Sequence, residues 1–339
     1  MAAAAATVAF PAASQSRPGG GAPPLVKPPR LKPKALVGLI APGGIVSDSL
    51  IQNCVANLEA LGFDVRVGRN IRAQHGGYAG TVDERLEDLH DMFSHREVAA
   101  IWTARGGSGA LGLLARIDYA LIRRKPKIFI GYSDITALHL ALLRHAGLVT
   151  FHGPVASSTF SEFSVSNMLG ILTEPGTKRV LAIADENLAL SDEMPQFRPR
   201  TFRAGIAEGR LVGGNLSLLC ATVGTPYGIH GHGHLLFLEE VGEAPYRIDR
   251  MLIQLQLARM LPDASGVVMG VFQKCEPADA DPSLSLAETL TERMAEVRAP
   301  SAYGFSFGHI PRQVTIPVGI RARLDTEMRT LTLLEPAVS

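Results

Sequence analysis

The sequence predicts an α/β protein: an open, mostly parallel sheet with helices on both faces, followed by a second, smaller and more mixed α+β domain. Three observations carry this. From Ala35 to about Gly153, short apolar runs alternate with segments of helical periodicity, as parallel crossovers require. The stretch around 155–205 is turn-rich and polar, with TEPGTK and SDEMPQFRPR. The last stretch, QVTIPVGIRARLDTEMRTLTLLE, alternates β-branched and polar residues and reads as short strands.

Taken in order, ALVGLIA (35–41) is a buried strand. DSLIQNCVANLEALG (48–62) is a helix with an Asp/Ser cap region and a closing glycine. FDVRVG is a short strand, and TVDERLEDLHDMFS (81–94) a helix with a Thr/Asp start. VAAIWTAR (98–105), KIFIGY (127–132) and LVTFHG (148–153) are strands, and DITALHLALLRHAG between the last two is a helix. The connecting region contributes one helix, VSNMLGILTE. The second half opens with AGIAEGRLVGGNLSLLCATVGTP and continues with strand HLLFLEE, helix YRIDRMLIQLQLARML, strand SGVVMGVF and helix LAETLTERMAEV. The expected organisation is a disordered Pro/Gly-rich tail over 1–34, an α/β domain over 35–160, a linker over 161–204 and a second domain over 205–335.

The chain's 339 residues suffice for a sizeable core, and 46% apolar with 19% charged residues is a soluble globular composition. A net charge of +1 gives no bulk field toward nucleic acid or membrane, which points to a small molecule or peptide as partner. Cys54, Cys220 and Cys275 are odd in number and far apart, so a reducing compartment without disulfides is expected. No apolar run reaches the roughly 18 residues of a membrane span. The start, MAAAAATVAFPAASQ, has no Lys or Arg ahead of its apolar part, so a cytoplasmic location is expected.

The chemistry gathers at strand ends, where open α/β sheets bind ligands. In KIFIGYSDITALHLALLRHAG, Ser133 stands where a strand hands over to a helix. Ser133 or Asp134 can be a helix N-cap there; equally, a strand–turn–helix can lift the hydroxyl as a nucleophile, although GYSDI lacks the second glycine of G-x-S-x-G. A serine nucleophile needs a base and an orienting acid. LLFLEE ends in Glu239 and Glu240, and a carboxylate ending an apolar strand has to be paired if it is buried. YGFSFGHIP places His309 after a short apolar run. In TARGGSGALGLLARI, the glycines 106, 107 and 109 follow a strand and expose backbone amides, suited to a phosphate or to an oxyanion. The loop lacks the Lys-Ser/Thr of a P-loop and does not match G-x-G-x-x-G. His230, His232 and His234 in HGHGH would share one face of a strand, but no Cys or carboxylate at ligand spacing completes a zinc site, and a turn is the expectation. His139 and His145 are expected to be packed or surface residues.

These pieces together resemble the LD-carboxypeptidases, a serine peptidase family that includes murein tetrapeptide and microcin-immunity peptidases. The resemblance lies in APGG (41–44), AGTVDERLEDLH (79–90), RGGSG (105–109), GYSDITALHLAL (131–142), FHGP (151–154), GRLVGGNLSLL (209–219), LFLEEVGEAPYRIDRML (236–252) and GFSFGH (304–309). The long string after LFLE is more similar to the murein branch. The resemblance implies a flavodoxin-like first domain, a second domain carrying acid and base, a homodimer, and no metal or organic cofactor. It implies Ser133 as nucleophile, Glu239 as acid with Glu240 as the alternative, His309 as base, and the amides of Gly107 and Asp134 as oxyanion donors. The substrate it implies is a murein tetrapeptide losing its terminal D-alanine. For that carboxylate Arg105 is a candidate partner, unless it pairs with an acid at the sheet edge; Asn215 either lines the site or caps the following helix. Ser108 replaces the tyrosine common in the family's loop. The competing expectations are a microcin-immunity-type peptidase acting on peptidyl adenylate mimics, and a non-catalytic small-molecule or nucleotide-binding domain using the 105–109 loop.

Overall fold

The structure is a computed structural model that describes residues 23–176, 178–278 and 282–339. The first lobe alternates as expected: β1 (Leu36–Ile40), α1 (Asp48–Ala60), β2 (Asp64–Val67), α2 (Val82–Ser94), β3 (Val98–Thr103), α3 (Tyr119–Arg124), β4 (Ile128–Gly131), α4 (Thr136–Ala141) and β5 (Thr150–His152). Its five strands are parallel in the order β5-β4-β3-β1-β2, the flavodoxin order. Helix starts follow their side chains. Ser47 caps α1 by accepting from the Leu50 amide, and Thr81 forms a reciprocal capping box with Glu84 at α2.

The strands are buried on both faces, and the two-residue period sorts them. Val37, Leu39, Trp102, Ile128 and Ile130 pack with Ile51, Cys54 and Leu58 of α1. Ile40, Val98, Ile101 and Phe129 pack with Leu86, Leu89 and Phe93 of α2. The segment DITALHLALLRHAG is helical but not uniform: a 3₁₀ turn over Ser133–Ile135 leads into α4, and a π turn over Leu142–Ala146 ends it.

The rest of the chain gives α5 (Glu162–Thr173), β6 (Val180–Leu181), α6 (Asp185–Ala189), β7 (Arg200–Arg203), β8 (Ile206–Asn215), α7 (Leu216–Thr222), β9 (His234–Val241), α8 (Pro245–Leu257), β10 (Gly266–Gln273), α9 (Leu286–Ala295), β11 (Ser301–Gly308), β12 (Ile316–Val318), β13 (Arg321–Asp325) and β14 (Thr330–Leu333). A mixed sheet runs β6-β14-β13-β8-β9-β10-β11-β7, with β8 to β11 parallel at its centre. With eight strands it is larger, not smaller, than the first sheet. One face packs on α7, α8 and α9. The other contributes Leu211, Leu235, Phe237 and Phe307 to the core that also holds Val37 and Trp102.

Three expected boundaries are corrected. The 161–204 segment is no free linker: it carries α5, and its strands β6 and β7 form the two edges of the second sheet. The 205–335 segment is not self-contained: β12 leaves it and pairs antiparallel with β5, Ile316 opposite His152. Of the expected 1–34 tail, 1–22 lies outside the described residues, but 23–34 is docked. Val26 bridges Leu148, the Leu31 amide donates to the Leu172 carbonyl, and Lys27 pairs with Glu335 at 2.8 Å. The three cysteines are buried and free, and no helix among the described residues is long and apolar enough to cross a membrane.

Because β12 completes the first sheet from the far end of the chain, its packing should govern the first lobe. Ile316 is fully buried. Ile316→Ala should cost about 2–5 kcal/mol. The check is urea unfolding followed by the fluorescence of Trp102, the chain's single tryptophan, buried on β3.

Candidate active site

The polypeptide leaves β4 through Tyr132 and enters the helix at Ser133. Ser133 has φ +67°, in the left-handed region that a residue with a Cβ rarely occupies. The N-cap position of the turn is Tyr132, and among the described residues the Ser133 hydroxyl makes no hydrogen bond that caps it. The Asp134 carboxylate does not cap the turn either; it is buried and accepts from the Ala110 amide at 3.0 Å. The cap reading of both residues is therefore corrected: the turn is a strained elbow that presents Ser133 at the carboxyl end of β4. Burial raises the Asp134 pKa above its ordinary value, against the lowering effects of the Ala110 amide and Arg85. Behind the elbow, His139 is fully buried between Thr150 Oγ1 and the Gly131 carbonyl, each at 2.9 Å, and burial holds its pKa down at about 4. It is a packed, neutral residue, as expected.

The glycine loop lies directly against the elbow. A Cβ on Gly106 would stand 2.7 Å from Ser133 Cβ and 3.0 Å from its Oγ, so only glycine permits this approach. The Gly106 carbonyl accepts from the Gly44 amide at 3.0 Å, tying the loop to the end of β1. Among the described residues, no hydrogen bond uses the amides of Gly107 or Asp134. The ends of β1 and β3 meet here at the sheet's topological switch point. Arg105 is exposed; its Nη1 reaches the Ile45 carbonyl at 3.5 Å, and among the described ion pairs it has no acid partner.

The second sheet brings its own strand ends to the same place. Glu239, at the end of β9, has no exposure to solvent, and its Oε2 lies 2.7 Å from His309 Nδ1. His309 follows β11. Burial alone would lower the His309 pKa, but the charge and hydrogen bond of Glu239, with the charge of Glu240, outweigh it and raise the value above 6.5. Strand alternation sends Glu240 the other way. Its oxygens accept from Ser217 N at 2.8 Å, Ser217 Oγ at 2.7 Å, Asn215 Nδ2 at 2.8 Å and Val241 N at 2.9 Å. Glu240 is thus a partner of the α7 N-terminus, not of His309. Asn215 is the N-cap of α7, its Oδ1 accepting from Leu218 N at 3.3 Å while its amide serves Glu240. The capping alternative for Asn215 is the one the structure adopts.

The lobes meet through Tyr132, whose ring stands edge-on to the His309 ring with centroids 4.8 Å apart. His309 thus stands against the residue that precedes Ser133, and the described hydrogen bonds do not include one between Ser133 and His309. Such bonds are often long in the free enzyme and close with substrate. Tyr132 and the buried His152, centroid to centroid 6.1 Å from it, were not singled out individually from the sequence. Their signal was position alone, within GYSD and FHGP. The HGHGH histidines do not share a strand face: His232 sits in an isolated bridge and His234 Nδ1 meets the His230 carbonyl at 2.8 Å. Among the described residues, no three His, Cys, Asp or Glu side chains form a group able to hold a metal ion.

Comparison with known proteins follows the same outline. The LD-carboxypeptidase N-terminal domain model matches residues 37–153, and the C-terminal domain model matches 208–324. The chain belongs to the LD-carboxypeptidase family. A probable murein peptide carboxypeptidase of Bacillus subtilis (strain 168) is 41% identical over 313 residues, spanning 91% of this chain and 95% of the relative. The crystal structure of a muramoyltetrapeptide carboxypeptidase from Oxalobacter formigenes matches with a TM-score of 0.75 at 31% identity, covering 88% and 98% of the two chains. A microcin C7 self-immunity protein in its inactive-mutant apo state matches at TM-score 0.83 over 92% and 99%; at 22% identity that likeness speaks for the fold. This LD-carboxypeptidase chain is a serine carboxypeptidase by family.

The Glu239–His309 pair gives a prediction independent of turnover. By NMR titration the His309 imidazole should have a pKa above 6.5, and Glu239→Gln should lower it. Since the folded value is raised, the pair's stabilisation is fully present below the unfolded pKa near 6.5 and is lost as pH rises through the folded value. Glu239→Gln should remove that dependence from the unfolding free energy.

Proposed function

We propose that this LD-carboxypeptidase removes the terminal D-alanine from an L,D-linked murein tetrapeptide, through an acyl-enzyme, as a step of peptidoglycan recycling. The observation that carries the reading is the buried Glu239–His309 pair, 2.7 Å apart, set against the strained Ser133 elbow. An ionised carboxylate only accepts hydrogen bonds, so Glu239 holds Nδ1–H and leaves Nε2 as the proton acceptor.

In the first step His309 Nε2 takes the Ser133 proton as Oγ attacks the carbonyl carbon of the L-residue. The developing oxyanion accepts from the Gly107 and Asp134 amides, and Glu239 stabilises the imidazolium. His309 then gives the proton to the D-alanine nitrogen, the C–N bond breaks and D-alanine leaves. A water, deprotonated by His309, attacks the ester and restores the Ser133 hydroxyl. Arg105, exposed beside Gly44 and Gly107, is suited to the D-alanine carboxylate. The relatives named for murein peptide and muramoyltetrapeptide substrates support this choice of substrate.

Ser133→Ala and His309→Ala should each lower D-alanine release by ~10³-fold or more while leaving the fold intact. The measurement is mass spectrometry of a murein tetrapeptide after incubation, reading the loss of one alanine; full turnover by Ser133→Ala overturns the nucleophile. Glu240→Gln should keep most of its activity where Glu239→Gln keeps only a small, measurable fraction. The base must be neutral, so kcat/KM should rise with pH through a limb above 6.5, and Glu239→Gln should shift the limb to lower pH while depressing the plateau.

A further inference from the structure

The motif AGTVDERLEDLH opens α2, and nothing in the proposed mechanism uses it. Its Arg85 is only 4% exposed, an unusual place for a side chain that stays charged in proteins. Arg85 Nη1 donates to the Pro42 carbonyl at 2.9 Å, just past β1, and to the Gly109 carbonyl at 3.0 Å, at the end of the glycine loop. Its Nε reaches the Thr81 carbonyl at 3.3 Å, and its guanidinium carbon lies 5.3 Å from the centroid of the Tyr78 ring. The Asp134 carboxylate acts on it electrostatically.

The decisive relation concerns one peptide unit. The Gly109 carbonyl and the Ala110 N–H belong to the same peptide bond. Arg85 holds the oxygen, and Asp134 holds the N–H at 3.0 Å. Gly109 has φ +111°, and a Cβ there would stand 2.8 Å from Arg85 Nη1 and 2.6 Å from the Tyr78 ring, so the loop closes tightly on the clamp. Asp134 also carries one of the two proposed oxyanion amides, and Gly107, two residues before the clamped peptide, carries the other.

We infer that Arg85 is a positioning residue for the oxyanion site: by gripping the Gly109–Ala110 peptide against Asp134, it sets the spacing between the Gly107 and Asp134 amides. The inference rests on the proposed function for the role of those two amides. A remote brace of this kind acts on the transition state rather than on substrate affinity, because the amides receive charge only as the oxyanion forms.

The test compares wild type, Arg85→Met and Arg85→Lys in the full chain. A fluorophosphonate reads the site directly: Ser133 Oγ bonds to phosphorus, fluoride leaves, the serine proton passes to His309, and the phosphonyl oxygen occupies the oxyanion position. Losing one oxyanion donor typically costs ~10²–10³-fold. For Arg85→Met we expect phosphonylation and kcat for D-alanine release to fall by about 30-fold, with KM within about threefold. Arg85→Lys, one bond shorter but still a donor, should recover part of the loss. A merely stabilising arginine would lower the unfolding midpoint and leave the rate per folded molecule unchanged; that result, or a loss confined to KM, overturns the inference. If Arg85→Met does not unfold cooperatively, Arg85→Lys decides: a slowed rate supports the clamp and a wild-type rate overturns it. Wild type that labels at Ser133 but releases no D-alanine defeats the substrate reading while the labelling rates still judge Arg85. Wild type that does not label at Ser133 defeats both.

Discussion

A carboxylate without access to water has to be paired, and among the described residues Glu239 finds its ionisable hydrogen-bond partner in His309. That requirement organises the second lobe. Glu239 ends β9 and His309 follows β11, two strands that flank β10. Their pairing fixes how far β11 runs before the chain turns, and so where the imidazole stands. The turn that follows leads into β12, which crosses to the first sheet and pairs with β5. The pair and the joining of the lobes are thus parts of one stretch of chain.

The first lobe meets this with a conformation that costs energy locally. Ser133 in the left-handed region is tolerated because its surroundings leave no alternative: Gly106 lies against it, Asp134 is held by the Ala110 amide, and His139 bonds the Gly131 carbonyl just before the elbow. Glu240 shows the opposite solution to the same problem of burial. It spends its oxygens on the α7 N-terminus, where free amides and positive helix ends favour an anion. Two adjacent carboxylates on one strand therefore take separate tasks because a strand turns successive side chains to opposite faces.

Much of this was legible in residues. The parallel sheet followed from apolar runs too regular for anything but buried strands, and the caps at Thr81 and Asn215 from residue type and position. The family followed from strings such as GYSDITALHLAL, LFLEEVGEAPYRIDRML and GFSFGH, whose resemblance implies roles for Ser133, for Glu239 with Glu240 as the alternative, and for His309. Other features were not legible. The 161–204 segment read as a linker because its strands are only two and four residues long, and edge strands need little hydrophobic pattern. Nothing in the local pattern singles out Arg85 as buried, since a charged side chain on a helix is normally exposed.

Sequence alone determined the local chemistry of the LD-carboxypeptidase chain: which segments prefer strand or helix, where a glycine is needed, and which side chains can donate, accept or carry a proton. Those are properties of residues and their near neighbours. Only the tertiary structure decided which carboxylate meets the imidazole, that β12 completes the other lobe's sheet, and that Arg85 and Asp134 grip one peptide bond from two sides. Each of these depends on the relative placement of segments 24 to 164 residues apart, set by sheet register and by the packing of one core against another, which short-range pattern does not encode.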